Sequence, residues 1–366
     1  MRIGFFIWGA ESRDKAAHAY YHRIDTLRVE MERRGHQTVE LYSAPFEGKL
    51  KLAPLCKKSR LRDAFADLDA VYLGATDCAA FAAAALPSGD RLVFDSHTPI
   101  IGERLMMFKA NKTPRNLFIY LRSLLHESLA ARRCRSISTV SDSAIDYYRR
   151  VFKRSPEDLF LARNMIEASL FQPRPLPESD RICFAYVGGM DRWQGVTDLI
   201  EAYPKTSRSF DLTIVGFGDE QVTLMSRARQ YGIEAHPRMP RAQAIEHLVS
   251  SHFGVTATPA VCAKHMPGAF PTKWAEILGL GRACMVTRAY DCARITQDEN
   301  FGIVCEPGVA GIAEGLERAA KVPREQIQDM GLRGSKWVQD KCSVEAVGTA
   351  WEEAASHAAA SRGAAP

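Results

Sequence analysis

Short apolar runs alternate with stretches of helical periodicity through the first half of the chain. Buried strands are predicted for the runs RIGFFIW, TVELY, AVYLG, RLVFDS and SISTVS. The stretch from Asp14 through Arg34 has apolar residues at helical spacing, and Gly35 follows at the position where such a helix would end. Continuous apolar strands that alternate with helices predict a parallel α/β sheet covered on both faces.

A proline-rich segment divides the chain. Residues 171–181, FQPRPLPESDR, have three prolines within five positions, which is typical of a linker. After it the alternation restarts, with predicted strands ICFAYVG, DLTIVG, FGVTAT, ACMVT and FGIVC. We therefore predict two α/β domains, over residues 1–172 and 182–340, joined by a hinge at 173–181. A C-terminal helix is predicted over 341–356 and a flexible tail over 357–366.

The composition is that of a globular protein. The chain has 366 residues, of which 46% are hydrophobic and 25% charged, and its mean hydropathy is −0.19. These values argue against a mostly disordered chain, and no apolar run approaches the roughly 18 residues of a membrane-spanning helix. The nine cysteines form no CxxC pair, and the apolar patch at the N-terminus is too short for a signal peptide. We therefore expect a cytoplasmic protein with reduced thiols and no structural zinc.

Positive charge is concentrated in the first predicted domain. The net charge is +5 for the chain, +7 for residues 1–172 and −2 for residues 173–366. Two clusters carry the excess of positive charge. Such clusters suit binding to an anionic membrane, a phosphorylated lipid or nucleic acid. A solvated basic face without a partner is the alternative explanation. No nucleic-acid-binding motif accompanies the clusters, so no nucleic-acid partner is expected. The first cluster consists of Lys49, Lys51, Lys57, Lys58, Arg60 and Arg62, and the second of Arg104, Lys109, Lys112, Arg115, Arg122, Arg132, Arg133 and Arg135 around the single acid Glu127.

The predicted strand ends of the first domain supply candidate binding residues, because ligands of open parallel sheets bind beyond the carboxyl ends of the strands. Gly9 and Ala10 follow the first strand, and a glycine there lets the backbone approach a ligand. His97 lies in a polar turn just past RLVFDS. A plain tight turn and a structural histidine are the alternative explanations.

Two glycine turns of the second domain are candidate phosphate sites. Gly188 and Gly189 end one strand before a polar turn that contains Arg192 and Gln194, and Gly216 ends the next strand. A glycine turn that opens a helix presents backbone N–H groups and the helix dipole to a phosphate. A tight strand-to-helix turn without a ligand is the alternative for both.

The segment from Gly268 to Glu276 has the most specific pattern in the chain. Pro271 and Thr272 favour a helix start, which places Lys273 in the first turn. A cation there opposes the helix dipole unless an anion is bound. Glu276 lies one turn further on nearly the same face. A lysine and a carboxylate at one helix start suit a phosphate and a pair of sugar hydroxyls.

Taken in order, these segments resemble retaining glycosyltransferases of family four. The resemblance extends over most of the chain, is strongest over residues 182–306, and is specific for the superfamily but for no particular sugar. It rests on STVSDSAIDYYRRVF, LARNMIEASLFQP, YVGGMDRWQGVTDLIEAY, DLTIVGFGDE and FPTKWAEILGLGRACMVT. It implies two facing Rossmann-like domains, the GT-B fold, with the active site in the cleft between them.

The resemblance also implies a reaction, which is the transfer of a sugar with retention from a nucleoside diphosphate sugar to an acceptor hydroxyl, without a required metal. It places Glu276 at the nucleotide ribose, Gly188 and Gly189 near the diphosphate and, more loosely, His97 near the sugar. The implied partners are the nucleotide-sugar donor and a glycan or lipid-linked acceptor of cell-envelope synthesis, which the basic clusters would meet at an anionic membrane surface. The predicted catalytic residues are His97, Lys273 and Arg192, the donor-binding residues Gly188, Gly189, Gln194, Gly216, Gly268, Thr272 and Glu276, and the acceptor-side loop residues Gly9 and Ala10, with no metal ligand.

Three positions depart from the family pattern. Gly189 stands where the family often has an arginine, Gln194 where it has a lysine, and Gly268 where it has a further glutamate. Because a diphosphate leaving group needs cations nearby, Arg192 and Lys273 are the candidates to supply the missing charge. Lys273 is preferred, because it lies in the first turn of a helix, whereas Arg192 lies in a turn. The alternatives left open are a sugar-nucleotide epimerase of the same architecture and a catalytically silent nucleotide-binding relative.

Overall fold

The chain forms two compact α/β units in a computed structural model that describes residues 1–8, 19–43, 58–86, 88–218, 220–266 and 268–360. The first unit comprises residues 1–164, 265–270 and 344–366, and the second comprises residues 165–264 and 271–343. Each unit contains one six-stranded sheet in which all strands are parallel. The predicted two-domain α/β fold is therefore confirmed.

The first unit has its sheet in the order β2-β1-β3-β4-β5-β6. Its strands are β1 (Arg2–Trp8), β2 (Gln37–Ser43), β3 (Ala70–Leu73), β4 (Leu92–Ser96), β5 (Ser136–Thr139) and β6 (Leu159–Leu161). Its helices are α1 (Ala19–Arg33), α2 (Lys58–Phe65), α3 (Thr76–Ala85), α4 (Ile100–Ala110), α5 (Pro114–Arg133), α6 (Asp142–Phe152) and the last helix of the chain, α15 (Val344–Ala360). Every residue of β3, β4 and β5 is buried, as expected for inner strands of a parallel sheet covered on both faces.

The second unit has its sheet in the order β12-β11-β10-β7-β8-β9. Its strands are β7 (Cys183–Gly189), β8 (Asp211–Phe217), β9 (Glu234–His236), β10 (Phe253–Thr256), β11 (Ala283–Thr287) and β12 (Gly302–Cys305). Its helices are α7 (Val196–Ala202), α8 (Gln221–Gln230), α9 (Arg241–Val249), α10 (Ala260–His265, whose last residue groups with the first unit), α11 (Thr272–Gly279), α12 (Asp291–Asp298), α13 (Val309–Ala320) and α14 (Arg324–Cys342). The order reverses between β7 and β10, and ligands of such sheets bind beyond the strand ends at this switch point.

The last helix belongs to the first unit although it follows the second in sequence. Trp351 of α15 is fully buried, and its ring lies 5.7 Å from Phe5 and 5.5 Å from Tyr72. Glu352 accepts a hydrogen bond from Arg34 at 2.9 Å, which ties α15 to the end of α1. The helix spans 344–360 rather than the predicted 341–356, because α14 continues to Cys342 and Ser343 separates the two helices.

The proline-rich segment predicted as a hinge lies within the second unit. Arg282 is buried and donates to the carbonyl oxygens of Arg174 and Pro175 at 2.9 and 2.7 Å. Arg324 donates to the carbonyl oxygens of Pro177 and Ser179. Arginine donors therefore satisfy the backbone of a segment that cannot form a sheet ladder of its own.

Two strands lie beyond what the sequence patterns indicated. The edge strands β6 and β9 have three residues each, too few to produce a recognisable period.

Within the described ranges, no helix combines the length and the apolar character that crossing a membrane requires. The predicted acceptor-side residues Gly9 and Ala10, and the lysines at 49, 51 and 57 of the first basic cluster, fall outside the described residues.

Candidate functional site

The amine of Lys273 lies at the carboxyl end of β7, at the switch point of the second sheet. Lys273 is in the first turn of α11, as its sequence context predicted. Its Nζ donates hydrogen bonds to Tyr186 Oη at 2.8 Å and to Gln194 Oε1 at 2.5 Å. The same nitrogen lies 4.4 Å from the centre of the Tyr186 ring, a cation–π distance. Two segments that are distant in sequence, residues 186–194 and the start of α11, thus meet at this amine.

Burial makes the charged form of Lys273 costly. It lowers the pKa of the amine to about 7, and the nearby carboxylates of Glu276 and Asp191 offset this only in part. Close to neutral pH the free protein therefore holds this amine in a mixture of charged and neutral forms. An anion placed next to Nζ would favour the charged form, so the group is suited to respond to a phosphate.

Binding of a nucleoside diphosphate is expected to draw a proton onto Lys273. In the free protein the pKa is about 7, and the bound diphosphate raises it, so uptake should approach one proton per site at pH 8 and be small at pH 6. Affinity should accordingly fall as the pH rises above 7. Calorimetry in two buffers of different ionisation enthalpy measures this uptake, with Lys273→Met as the control that lacks it. Identical binding heats in the two buffers at pH 8 would contradict the expectation.

Glycine at two positions of the turn after β7 allows this arrangement. Gly188 has φ +153°, and a Cβ atom there would lie 3.0 Å from the Nζ of Lys273. Gly195 has φ +70°, and a Cβ atom there would lie 1.6 Å from the carbonyl oxygen of Ala257. The first glycine leaves room for the amine, and the second lets α7 begin against the backbone after β10.

Glu276 is the second charged group of α11, one turn after Lys273. Its carboxylate accepts a hydrogen bond from Arg241 at 3.2 Å, and its side chain is 25% exposed. Arg241 also lies 3.6 Å from the carboxylate of Glu167, and its guanidinium stacks over the ring of Phe171. The carboxylate is thus oriented by a neighbour yet reachable from solvent, which suits a group that accepts hydrogen bonds from ligand hydroxyls.

The other predicted donor residues lie in different surroundings. Gly216 pairs with Gly188 in the β7–β8 register, and a Cβ atom at Gly216 would lie 2.7 Å from Met190. Thr272 is exposed as the first residue of α11. Gly268 groups with the first unit, where its carbonyl oxygen accepts from Ser141 at 2.7 Å. Gly189, the last residue of β7, accepts a hydrogen bond from the hydroxyl of Tyr186 through its carbonyl oxygen.

Arg192 does not take part in the hydrogen bonds of Lys273. Its side chain is 86% exposed and pairs with Glu220 at 2.9 Å. Such an exposed pair contributes about 0–1 kcal/mol and does not hold the guanidinium in one place. Of the two cations predicted to replace the missing family charges, Lys273 is the one that the structure positions.

His97 follows β4 in the first unit and lies beside a buried ion pair. Its Nε2 lies 3.6 Å from Asp95, a fully buried carboxylate that accepts from Arg23 at 2.8 and 3.0 Å and from Tyr72 at 2.7 Å. Burial would raise the pKa of Asp95, but the Arg23 charge and the contact with His97 hold it far below its usual range. A permanently charged carboxylate therefore faces the imidazole, while the ring remains 31% exposed.

Sequence reasoning missed Tyr186, Arg241 and the pair of Arg23 with Asp95. Tyr186 lies inside an apolar strand and has the pattern of a core residue. Arg241 is 35 residues from Glu276, and Arg23 is 72 residues from Asp95. A pairing at such separation leaves no periodic pattern in the sequence.

A possible metal-ligand group also escaped the sequence analysis, which predicted no metal ligand. Among the described residues, Glu234, His236 and His247 have ligand atoms that all lie within 4.8 Å of one another. His236 lies 2.6 Å from Glu234, which also accepts from Thr213 at 2.9 Å. These hydrogen bonds hold Glu234 and His236 on the edge strand β9, and the ring of His247 on α9 lies 4.7 Å from the ring of His236.

Residues 169–337 match the family model described as "Glycosyl transferases group 1". A human protein that is one subunit of phosphatidylinositol N-acetylglucosaminyltransferase is 26% identical over 178 residues, which is 45% of this chain and 34% of that protein. The alignment thus spans about a third of the length of this curated relative.

Solved structures of other proteins share the fold along nearly the whole chain. HepE from Anabaena, in complex with UDP, has a TM-score of 0.71 at 13% identity, with 97% of this chain and 100% of that chain covered. WaaG, a glycosyltransferase involved in lipopolysaccharide biosynthesis, has a TM-score of 0.64 at 13% identity, with 96% and 98% covered. The fold is therefore that of GT-B glycosyltransferases, and most of the residues that match the glycosyl transferases group 1 model lie in the second unit.

Proposed function

We propose that this protein transfers a sugar, with retention, from a nucleoside diphosphate sugar to an acceptor hydroxyl. The observation that carries the proposal is the Lys273 amine, held at 2.8 Å from Tyr186 and 2.5 Å from Gln194 at the switch point of the second sheet. A buried lysine whose pKa is lowered to about 7 is a costly feature, and the charge of a bound diphosphate would offset this cost. HepE, whose fold is similar, was solved with UDP bound.

In the proposed mechanism the second unit binds the donor. Glu276 accepts hydrogen bonds from the ribose hydroxyls, the backbone around Gly188 and Gly189 approaches the diphosphate, and Lys273 stabilises the negative charge that grows on the leaving group. His97, which lies beside the charged carboxylate of Asp95, is proposed to contact the sugar. The leaving phosphate assists removal of the proton from the acceptor hydroxyl, so the reaction needs no metal ion.

The proposed acceptor is a glycan or a lipid-linked molecule used in cell-envelope or glycolipid synthesis, reached by a protein that stays on the cytoplasmic side. The names of two similar proteins support this class of acceptor. The human relative is named for transfer to phosphatidylinositol, and WaaG is named for lipopolysaccharide biosynthesis. The positive charge of residues 1–172 is compatible with an acceptor that carries phosphate.

A silent nucleotide-binding relative is the second candidate, and one observation favours it. Gly189, Gln194 and Gly268 stand at positions where the family often has charged residues. In the structure, however, the side-chain oxygen of Gln194 bonds to the amine of Lys273. The two residues thus place a positive charge beside the turn that lacks the family lysine, and this arrangement supports an active site.

A thermal-shift screen of UDP, GDP, dTDP and ADP is the first test. We expect one of the four to raise the melting temperature by several degrees, because ligand at about 100 times its dissociation constant adds roughly 2.7 kcal/mol. The matching sugar nucleotides are then incubated with the protein, and release of the nucleoside diphosphate is followed.

The products separate the candidates. Slow release without acceptor, accelerated by an acceptor that becomes glycosylated, supports the transferase. An epimerised sugar as the only product would support the epimerase, and a stabilising nucleotide whose sugar derivatives are never cleaved would support the silent relative. If none of the four nucleotides stabilises the protein, the proposed donor site is wrong.

A further inference from the structure

Helix α5 of the first unit presents a stripe of large apolar side chains to solvent. Leu117, Phe118, Leu121, Leu124 and Leu125 are 40, 57, 51, 38 and 65% exposed. Their spacing of three, four, seven and eight residues places them on one side of the helix. Scattered exposed leucines are ordinary, but a contiguous apolar patch marks a contact with a protein or a membrane.

Helix α4, which packs against α5, extends this apolar surface. Its 11 residues, IIGERLMMFKA, include six large apolar ones, yet none of them is fully buried. Met107 is 36% exposed, and Phe108 stacks on Tyr120 of α5 at 6.5 Å. The two helices therefore expose apolar side chains along the length of α5, which has 20 residues and is about 30 Å long.

Positive charge surrounds the turn that joins the two helices. Lys109, Lys112 and Arg115 are exposed and, within the described part of the chain, form no ion pair. Arg122 lies two turns after Arg115 and is 45% exposed, although it also contacts Asp77 at 3.5 Å. The combination of an apolar stripe with a basic flank is typical of helices that lie at the surface of an anionic bilayer.

The one acidic residue of α5 does not weaken this charge at the surface. Glu127 is fully buried and accepts a hydrogen bond from the backbone N–H of Ile101 at 2.9 Å and from Tyr148 at 3.3 Å. Its burial raises its pKa to about 7, so it carries only part of a charge near neutral pH. The exposed face of α5 thus has no carboxylate of its own.

The geometry points to an anionic lipid bilayer as the partner of the α4–α5 face, which comprises Met107, Lys109, Lys112, Arg115, Leu117, Phe118, Leu121, Leu124 and Leu125. The apolar side chains enter the boundary between headgroups and acyl chains, and the basic side chains contact lipid phosphates. A second copy of the chain fits less well, because it would bring like charges together. Membrane binding needs neither a nucleotide-sugar donor nor sugar transfer, so the test of this binding is independent of the test of the proposed enzymatic function.

Vesicle flotation tests this assignment with the full chain. The protein is mixed with vesicles of phosphatidylcholine alone or of equal parts phosphatidylcholine and phosphatidylglycerol, at low and high salt. We expect flotation with the anionic vesicles, weakened by salt and nearly absent with phosphatidylcholine alone. The combined change Phe118→Ser, Leu121→Ser and Leu125→Ser should lower the partition coefficient roughly 100-fold, since three exposed side chains lose apolar contact.

Two further variants separate the contributions. Val222 of α8 is 82% exposed in the second unit, and Val222→Ser is the matched control that should float like the unchanged protein. Lys109→Gln, Lys112→Gln and Arg115→Gln should each weaken binding to anionic vesicles about fivefold. Because all these side chains are exposed, melting temperatures should remain unchanged and serve as the check on folding.

A spectroscopic measurement keeps the test independent of vesicle recovery. Phe118→Trp should shift tryptophan emission to the blue when anionic vesicles are added, whereas Val222→Trp should not. Flotation of the triple serine variant at the level of the unchanged protein would overturn the assignment. Absence of flotation for the unchanged protein, together with dimers that the triple serine variant dissociates, would instead assign the face to a second copy.

Discussion

Replacing Lys273 with methionine is expected to lower sugar transfer by about 100-fold or more, which is typical of losing one preorganised charge at a leaving group. The methionine keeps the apolar stem that packs on Tyr186 and removes only the amine, so the fold should be preserved. Turnover with the donor identified by the thermal-shift screen, measured beside circular dichroism and melting temperature, checks both parts of the expectation.

Two comparisons make the lysine result specific. Lys336 of α14 is exposed, and Lys336→Met removes a positive charge from the same unit without touching the site. Adding Gln194→Lys to the Lys273→Met background should recover part of the activity, because residue 194 already lies within hydrogen-bonding distance of the amine it would replace. Unchanged turnover in Lys273→Met would remove this residue from the mechanism, and a larger loss in Arg192→Met would transfer its role to Arg192.

Replacing Glu276 with alanine is expected to weaken nucleoside diphosphate binding about 100-fold and to abolish detectable transfer. The carboxylate is proposed to accept two charge-assisted hydrogen bonds from the ribose, and such bonds contribute about 1.5–3 kcal/mol each. Isothermal titration calorimetry with the stabilising nucleotide measures the loss. Glu276→Gln keeps the shape and one acceptor oxygen, so the affinity of this variant should lie between those of the unchanged protein and of Glu276→Ala.

A matched acid separates the role of Glu276 from a general effect of charge. Glu246 of α9 is also paired with an arginine, Arg174 at 3.5 Å, and is 58% exposed, so Glu246→Ala should leave affinity unchanged. Glu276 also favours the charged form of Lys273, and its removal should shift the pH dependence of binding to lower pH. An affinity of Glu276→Ala equal to that of the unchanged protein would place the ribose elsewhere.

The electrostatics of the two units differ in a way that suits the proposed chemistry. In the second unit, burial brings the pKa of Lys273 to about 7, so its charge depends on the ligand. In the first unit, Arg23 holds Asp95 charged beside His97, and that carboxylate stays ionised across the physiological range. The charge of Lys273 thus responds to a bound anion, whereas the charge of Asp95 is constant.

Local patterns were sufficient for the fold class and for part of the candidate site. Continuous apolar runs such as those of β4 and β11 are buried along their whole length, because a parallel sheet with helices on both faces leaves no polar side. The helix start at Thr272 was also predictable, since proline at the preceding position favours the first helical turn. Lys273 and Glu276 therefore share one helix end, as their spacing predicted.

Only the tertiary structure decided which of the candidate site residues contact each other and which of them are buried. The sequence pattern favoured Lys273 over Arg192 as the replacement cation, because Lys273 lies in a first helical turn, where an unpaired cation opposes the helix dipole. Packing placed Lys273 against Tyr186 and Gln194 and left Arg192 exposed beside Glu220. The two hydrogen bonds that position Lys273 join residues 79 and 87 positions apart, and no local periodicity encodes such pairings.

The same distinction holds for charge and exposure in the first unit. The sequence by itself determined two parallel α/β sheets, the glycine turns and a basic cluster around Glu127, because composition, period and chain order are local properties. The tertiary structure decided that Glu127 is buried, that the leucines of α5 are exposed, and that the last helix returns to the first sheet through Trp351. The physical reason is that burial depends on which distant segments pack together, and the pKa of a side chain follows from its burial.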